Sequence, residues 1–219
     1  MVNLNTRYIK ECFQLIHLPT TSCILALAVI GSVFSPNINV NTLQWILIHL
    51  FLLGGITANF FDEIQGRPWH TQIPDTDLWM IGLTTFFLAV LIGIYLMMTV
   101  FWLFWIFLFL WTFITISYNL ELFQGFFHNT ASIAISGGLI VLGSYLLQNQ
   151  RLTPMILVVS VISGCIVGQG RDLYEKAKLF SKDKILSSKA SHSAWTLLKA
   201  LIGFIDAIAL ILLVWRLVK

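Results

Sequence analysis

Residues 78–118 read LWMIGLTTFFLAVLIGIYLMMTVFWLFWIFLFLWTFITISY, a run of 41 residues without a charged side chain. A helix needs about 20 apolar residues to cross the hydrocarbon core of a bilayer, so this run is about twice as long as one span. Because lipid does not tolerate irregular backbone, the run predicts two helices joined by a tight hairpin near residues 97–100. The chain is therefore expected to be an integral membrane protein.

Composition agrees with this expectation, since 58% of the 219 residues are hydrophobic and 11% are charged. Soluble domains carry roughly 25% charged residues. The other uncharged apolar runs raise the number of predicted spans to seven, at residues 18–34, 43–61, 78–98, 99–118, 130–148, 153–168 and 193–215. The predicted fold is all-α, a polytopic bundle of about seven transmembrane helices that forms a single membrane-embedded domain over residues 1–219.

The cysteine count and the net charge argue against two other classes of protein. Cys12, Cys23 and Cys165 are odd in number and have no CxxC spacing, which argues against a disulfide-stapled secreted module. A net charge of +3 with dispersed lysines and arginines argues against a nucleic-acid partner.

The charged residues are distributed unevenly between the two predicted faces of the bundle. If the N-terminus lies inside, nine of the 13 Lys and Arg residues lie on that face, so the N-terminus is predicted to be cytoplasmic. Nine of the 10 acidic residues lie on the same face, mostly in three connections, residues 62–77, 119–129 and 171–192. This distribution predicts a site at the cytoplasmic mouth of the bundle.

The first connection follows the second predicted span, which ends in ANFFDEIQGRP at residues 58–68. Asn59 and Asp62 are three residues apart and would share a helix face. Their oxygens are ligands that suit a hard cation such as Mg²⁺. The alternative is that Asp62 and Glu63 only mark the membrane surface.

A second acidic pair stands at the matching place after the sixth predicted span, in GQGRDLYEK at residues 168–176. Asp172 and Glu175 are again three residues apart. The alternative is a surface helix in which Arg171 pairs with Glu175 and Asp172 pairs with Lys176, each pair contributing only about a few tenths of a kcal/mol.

A third polar segment, TISYNLE at residues 115–121, follows the fourth predicted span. The placement of the three segments resembles the UbiA superfamily of intramembrane prenyltransferases, and the resemblance covers residues 7–219 with seven spans instead of the usual nine. That family is all-helical and binds Mg²⁺ and a prenyl diphosphate between aspartate-rich motifs that follow its second and sixth helices. The chain departs from the family pattern by keeping one aspartate, Asp62, in the first motif and by having Glu121 and Leu122 where a basic pair is common.

The resemblance implies specific roles. It implies magnesium ligands at Asn59, Asp62, Asp172 and Glu175. It implies contacts with the diphosphate at Arg67, Tyr118, Arg171 and Lys176, with Lys178 behind them. The position of the middle loop makes Glu121 and His128 candidates to take the proton that the reaction releases. The implied function is transfer of an isoprenoid group from its diphosphate to an unidentified acceptor, within membrane lipid.

Other functions stay open at this point. A related enzyme could cyclise the prenyl chain, as a terpene cyclase does, or a protein of the same fold could bind a lipid or a partner without catalysis. The enzyme predicts that Asp62, Glu121 and Asp172 converge, whereas the non-catalytic protein predicts scattered or salt-bridged acids. A small transporter is a third possibility because Asp206 lies near the middle of the last span, where an acid either marks an ion path or makes an interhelical hydrogen bond.

Two apolar patterns concern packing and a possible tunnel. Eight of the 13 residues 101–113 are aromatic, which could line a prenyl tunnel or face lipid and neighbouring helices. Ser160, Gly164 and Gly168, at a spacing of four, predict close approach of a partner helix to the sixth span.

Overall fold

The computed structural model describes residues 4–182 and 187–218, and over these residues the fold is all-helical, as predicted, without a β-strand. The described chain contains the helices α1 (Leu4–Leu15), α2 (Leu18–Val33), α3 (Val40–Ile64), α4 (Asp75–Thr99), α5 (Phe104–Asn119), α6 (Thr130–Asn149), α7 (Pro154–Lys182) and α8 (Ser187–Val218).

Several of these helices have the length and composition of membrane spans. Five of the helices in the described ranges, α3, α4, α6, α7 and α8, are long and apolar enough to cross a bilayer. Helices α1 and α2 meet at a bend of 40° and make a sixth if the pair counts as one span. Helix α5 is also apolar but has 16 residues. It is about 24 Å long, against a hydrocarbon core of about 30 Å.

The long apolar run breaks close to the predicted hairpin. Helix α4 ends at Thr99 and α5 begins at Phe104. The N–H of Val100 donates to the Leu96 oxygen at 2.9 Å, and the side chain of Gln150 donates to the Val100 oxygen at 2.8 Å. These two bonds pair backbone groups at Leu96 and Val100, where α4 ends.

Side-chain caps fix where two other helices begin, and a proline marks the start of a third. Asn39 accepts a hydrogen bond from the Thr42 N–H at 3.0 Å at the start of α3, and Asn129 accepts one from the Ser132 N–H at 2.9 Å at the start of α6. Helix α7 begins at Pro154, a residue that lacks the N–H which a first turn leaves unpaired.

The middle of α3, Phe51–Thr57, is π-helical. The N–H of Ala58 bonds the Leu53 oxygen, five residues back, where the wider turn ends. Asn59 then donates its side-chain amide to the Gly55 oxygen at 2.7 Å. A π-helical turn inside an α-helix is a rare feature that often accompanies a functional region.

Glycines allow α6 and α7 to approach closely. A Cβ atom added to Gly164 would lie 2.4 Å from the Ala134 backbone oxygen, and one added to Gly138 would lie 3.1 Å from the Ser160 backbone oxygen. The packing role predicted for Gly164 is therefore confirmed. Close backbone approach through small residues is a general means of helix association in membranes.

We expect Gly164→Val to destabilise the fold by about 1–3 kcal/mol, because the new side chain overlaps a backbone atom that cannot move without shifting α6. The matched control is Gly203→Val, since a Cβ added to Gly203 meets no atom within 4 Å. Thermal unfolding of both variants in detergent measures the difference. Equal loss in the two variants would contradict the close contact between α6 and α7.

The polar connections collect at one end of the bundle, as the charge pattern predicts. At this end, the side chain of Gln65 donates to the Leu120 oxygen at 2.9 Å. At the opposite end, Arg216 donates to the Ser35 oxygen at 3.0 Å and Asn39 donates its N–H to Gln148 at 2.8 Å. The connection predicted at residues 171–192 contains the helical ends of α7 and α8, and the side chains of Lys182, Asp183, Lys184 and Lys189 within it lie outside the described residues.

Candidate functional site

The polar end brings together the C-terminal parts of α3, α5 and α7, which carry the three sequence motifs. Arg171 on α7 donates through Nε to the hydroxyl of Tyr118 on α5 at 2.8 Å. Its guanidinium carbon lies 5.6 Å from the centre of the Tyr118 ring. Two residues for which the resemblance implies diphosphate contacts are thus in direct contact.

Arg171 also holds the start of α6 and the loop before it. Its guanidinium donates to the Thr130 hydroxyl and to the His128 backbone oxygen, each at 3.3 Å. Its side chain is 15% exposed, and the Glu175 carboxylate lies 4.0 Å away. The cation is therefore largely buried, fixed in orientation and only partly neutralised by Glu175.

Thr130 connects the predicted cation to a predicted metal ligand. Its hydroxyl accepts from Arg171 and donates to the Asp172 carboxylate at 2.5 Å. Asp172 is thus engaged in a charge-assisted hydrogen bond between α6 and α7.

The two predicted acid–base residues lie beside Tyr118. The rings of His128 and Tyr118 are stacked, with centres 4.3 Å apart and planes 18° apart. Since a carbonyl oxygen only accepts, His128 donates through Nδ1 to the Tyr118 backbone oxygen at 3.1 Å. The same nitrogen lies 3.9 Å from a Glu121 carboxylate oxygen.

Asp62 is half-buried at the end of α3 and interacts electrostatically with this group. Lys178 attracts its negative charge, whereas Glu63 and Glu121 repel it. The Nζ atom of Lys178 lies 6.0 Å from the centre of the Tyr174 ring. Residues from all three predicted connections therefore share one electrostatic environment.

Three predicted site residues have other surroundings. Asn59 donates its amide to the backbone oxygen of Gly55, within the π-helical part of α3. Arg67 donates to the backbone oxygens of Thr71 and Ile73 and pairs with Asp75, so it organises its own loop. Lys176 is exposed on α7.

The predicted magnesium ligands do not form a metal site in this arrangement. No group of three or more His, Cys, Asp or Glu side chains within the described part of the chain could hold a metal ion. Asp172 accepts a hydrogen bond from Thr130, and Glu175 lies near Arg171. The residues as placed do not fit Mg²⁺, whose binding stays a prediction of the resemblance.

An apolar cavity of about 30 Å³ lies between α3, α4, α5 and α6, lined by side chains that include His49, Phe104, Phe107, Trp111 and Ser144. By this measure it has room for about two water molecules, far less than a prenyl chain. The aromatic run divides between this cavity and the outer surface, where the exposed members are Trp102, Trp105 and Phe109. His49 is buried and bonded through Nδ1 to the Ala89 backbone oxygen at 2.8 Å.

Asp206 lies away from the polar end and makes an interhelical contact. Ser22 on α2 donates its hydroxyl to Asp206 on α8 at 2.8 Å. This contact agrees with the interhelical hydrogen bond expected for an acid in a span, a bond that contributes about 0.6–1.7 kcal/mol in membrane proteins.

Sequence reasoning missed two residues that shape the polar end. Thr130 gave no signal beyond its place at the start of a helix, because its role depends on contacts with α7. Glu63 was noted only as a neighbour of Asp62. It is fully buried and accepts hydrogen bonds from the loop that follows it. Its position in the last turn of α3, just before a loop that contains Gly66 and Pro68, was the available signal.

Comparison with protein-family models, with curated proteins and with solved structures finds no match to this chain.

Proposed function

We propose that the chain is a UbiA-like membrane protein that crosses the bilayer seven times and binds an isoprenoid diphosphate at its polar end. The seven crossings are the five long helices, the bent pair α1 and α2, and the short helix α5. The polar end and the N-terminus face the cytoplasm in this proposal, because nine of the 13 Lys and Arg residues then lie inside.

The observation that carries the proposal is the position of Arg171. Its bonds to Tyr118, Thr130 and His128 use three of its five N–H groups. The other two are proposed to donate to phosphate oxygens, which a fixed guanidinium can meet in pairs. The orientation is set before the ligand arrives, so little side-chain entropy is lost on binding.

We propose that the prenyl tail stays in the bilayer, against the apolar outer surface next to this end. The cavity of about 30 Å³ inside the bundle is too small for the tail. Phe109 and Leu110 are exposed on α5, the helix that carries Tyr118 in its last turn. A tail lying there would keep its diphosphate at the membrane surface.

The direct test is binding of radiolabelled farnesyl diphosphate to the full chain in lipid nanodiscs. We expect saturable binding that inorganic diphosphate weakens and that farnesol, which lacks phosphate, does not compete for. Binding of farnesol equal to that of farnesyl diphosphate would overturn the proposal, since it would show that the diphosphate group contributes nothing to the affinity.

Prenyl transfer is the second candidate, favoured by the half-buried Asp62 beside His128 and Lys178. If the chain is a transferase, Asp62→Asn should lower release of diphosphate at least about tenfold, because the change removes a half-buried negative charge from the polar end. The measurement is release of inorganic diphosphate from farnesyl diphosphate, with Asp77→Asn as a control at a carboxylate that accepts from Tyr8. Binding without any release in the parent chain would favour the non-catalytic lipid-binding protein.

A further inference from the structure

The loop between α5 and α6, residues 120–129, exposes large apolar side chains next to the candidate site. The side chains of Phe123 and Phe126 are 62% and 71% exposed, and that of Leu122 is 39% exposed. Glu121 and Gln124 are exposed beside them. Apolar and polar groups thus share one short surface segment.

The exposed aromatic surface of this loop continues that of α5. The ring of Phe113 on α5 has its centre 6.0 Å from that of Phe123 and 5.2 Å from that of Phe127. On its other side it is stacked with Phe109, 6.1 Å away, whose side chain is 60% exposed. The row from Phe109 to Phe123 forms one apolar strip along the outside of the bundle.

The short length of α5 explains why the apolar strip continues into the loop. With 16 residues the helix is about 6 Å shorter than the hydrocarbon core. The apolar loop at its C-terminal end extends the lipid-facing surface toward the headgroups. A loop of ordinary polar composition would leave α5 too short for the bilayer.

Internal hydrogen bonds make the backbone of the loop compatible with this environment. Leu122 donates its N–H to the Ser117 oxygen at 3.0 Å, Gly125 to the Glu121 oxygen at 3.0 Å and Phe126 to the Phe123 oxygen at 3.2 Å. These bonds pair part of the loop backbone internally, which lowers the cost of bringing a non-helical segment to the membrane surface.

We propose that residues 120–129 form an interfacial anchor, in which Leu122, Phe123 and Phe126 insert into the boundary between headgroups and acyl chains. Aromatic side chains favour this region, and Glu121 and Gln124 would remain on the aqueous side. His128 at the end of the loop stacks on Tyr118, so the anchor also holds the candidate site at the membrane surface.

The test is the depth of a nitroxide attached at Phe126→Cys in the full chain, reconstituted in liposomes after replacement of Cys12, Cys23 and Cys165. Collisions with oxygen report lipid, and collisions with a water-soluble nickel complex report solvent. We expect the oxygen-to-nickel ratio at 126 to approach that at Phe109→Cys. It should exceed that at Gln72→Cys, an exposed position in another loop of the same end, by about tenfold.

A ratio at 126 equal to that at 72 would overturn the proposal by placing the loop in water. Low collision rates with both reagents would also overturn it, because they indicate a protein partner on the aromatic surface. If the cysteine-free chain does not fold, Phe126→Trp and Gln72→Trp in the native background can be compared through quenching by brominated lipids. Greater quenching for Phe126→Trp supports the anchor, and equal quenching contradicts it.

Discussion

Replacing Arg171 with glutamine is expected to lower the affinity for farnesyl diphosphate by about 100-fold. The change removes the positive charge and the paired N–H groups proposed to meet the phosphates. Hydrogen bonds to charged groups contribute about 1.5–3 kcal/mol each, and two of them correspond to a factor of about 100 or more. Equilibrium binding to the chain in nanodiscs measures the loss.

The control for charge is Arg151→Gln, which removes an exposed arginine from the connection between α6 and α7 at the opposite end. It should leave the affinity unchanged. Because Arg171 also joins α5, α6 and the loop between them, the unfolding temperature is measured for each variant. Arg171→Lys keeps the charge but not the fork of donors, so it should recover only part of the affinity. Full affinity in Arg171→Gln would remove the basis of the proposed function.

Helical spacing explains which part of the site was predictable. The positions of Arg171 and Glu175 on one face of α7 follow from a spacing of four, and the structure brings them within 4.0 Å. The position of Tyr118 at the end of an apolar run also indicated the membrane surface. These features depend on local periodicity, which a sequence displays directly.

Asn59 and Arg67 make contacts that local periodicity does not predict. Asn59 bonds the Gly55 oxygen at the end of a π-helical segment that the sequence marks only by two adjacent glycines. Arg67 adopts a φ of 50° and turns its guanidinium onto its own loop. For Arg67, whose predicted role is a phosphate contact, backbone oxygens of its own loop occupy guanidinium donors.

The span boundaries differ from the apolar runs for a related reason. The last two helices extend beyond the predicted runs at residues 153–168 and 193–215, because α7 reaches Lys182 and α8 begins at Ser187. Hydropathy detects the part of a helix that lies in lipid, whereas helical backbone hydrogen bonds continue into the polar region. The part of α7 that carries Arg171 and Asp172 lies in this continuation.

The second large effect is expected for Glu63→Ala. The Glu63 carboxylate is fully buried and accepts from the N–H of Trp69 at 3.0 Å. It also accepts from the N–H and the hydroxyl of Thr71, each at 2.8 Å. Alanine leaves these donors without an acceptor in the interior. At about 1–3 kcal/mol for each of the three unsatisfied groups, the variant should lose about 3–9 kcal/mol of stability.

Thermal unfolding in detergent and amide hydrogen exchange measure this loss. Exchange should increase at Trp69 and Thr71, because their N–H groups lose the carboxylate that protects them, while amides in α6 change less. Glu121→Ala is the matched control, since that side chain is 49% exposed and its removal should change the stability by less than about 0.5 kcal/mol. Glu63→Gln keeps one acceptor oxygen and should fall between the two. If Glu63→Ala unfolds at the parent temperature with unchanged exchange, the loop after α3 is held by other contacts. Arg67, which donates to the Thr71 and Ile73 backbone oxygens, is then the next residue to replace.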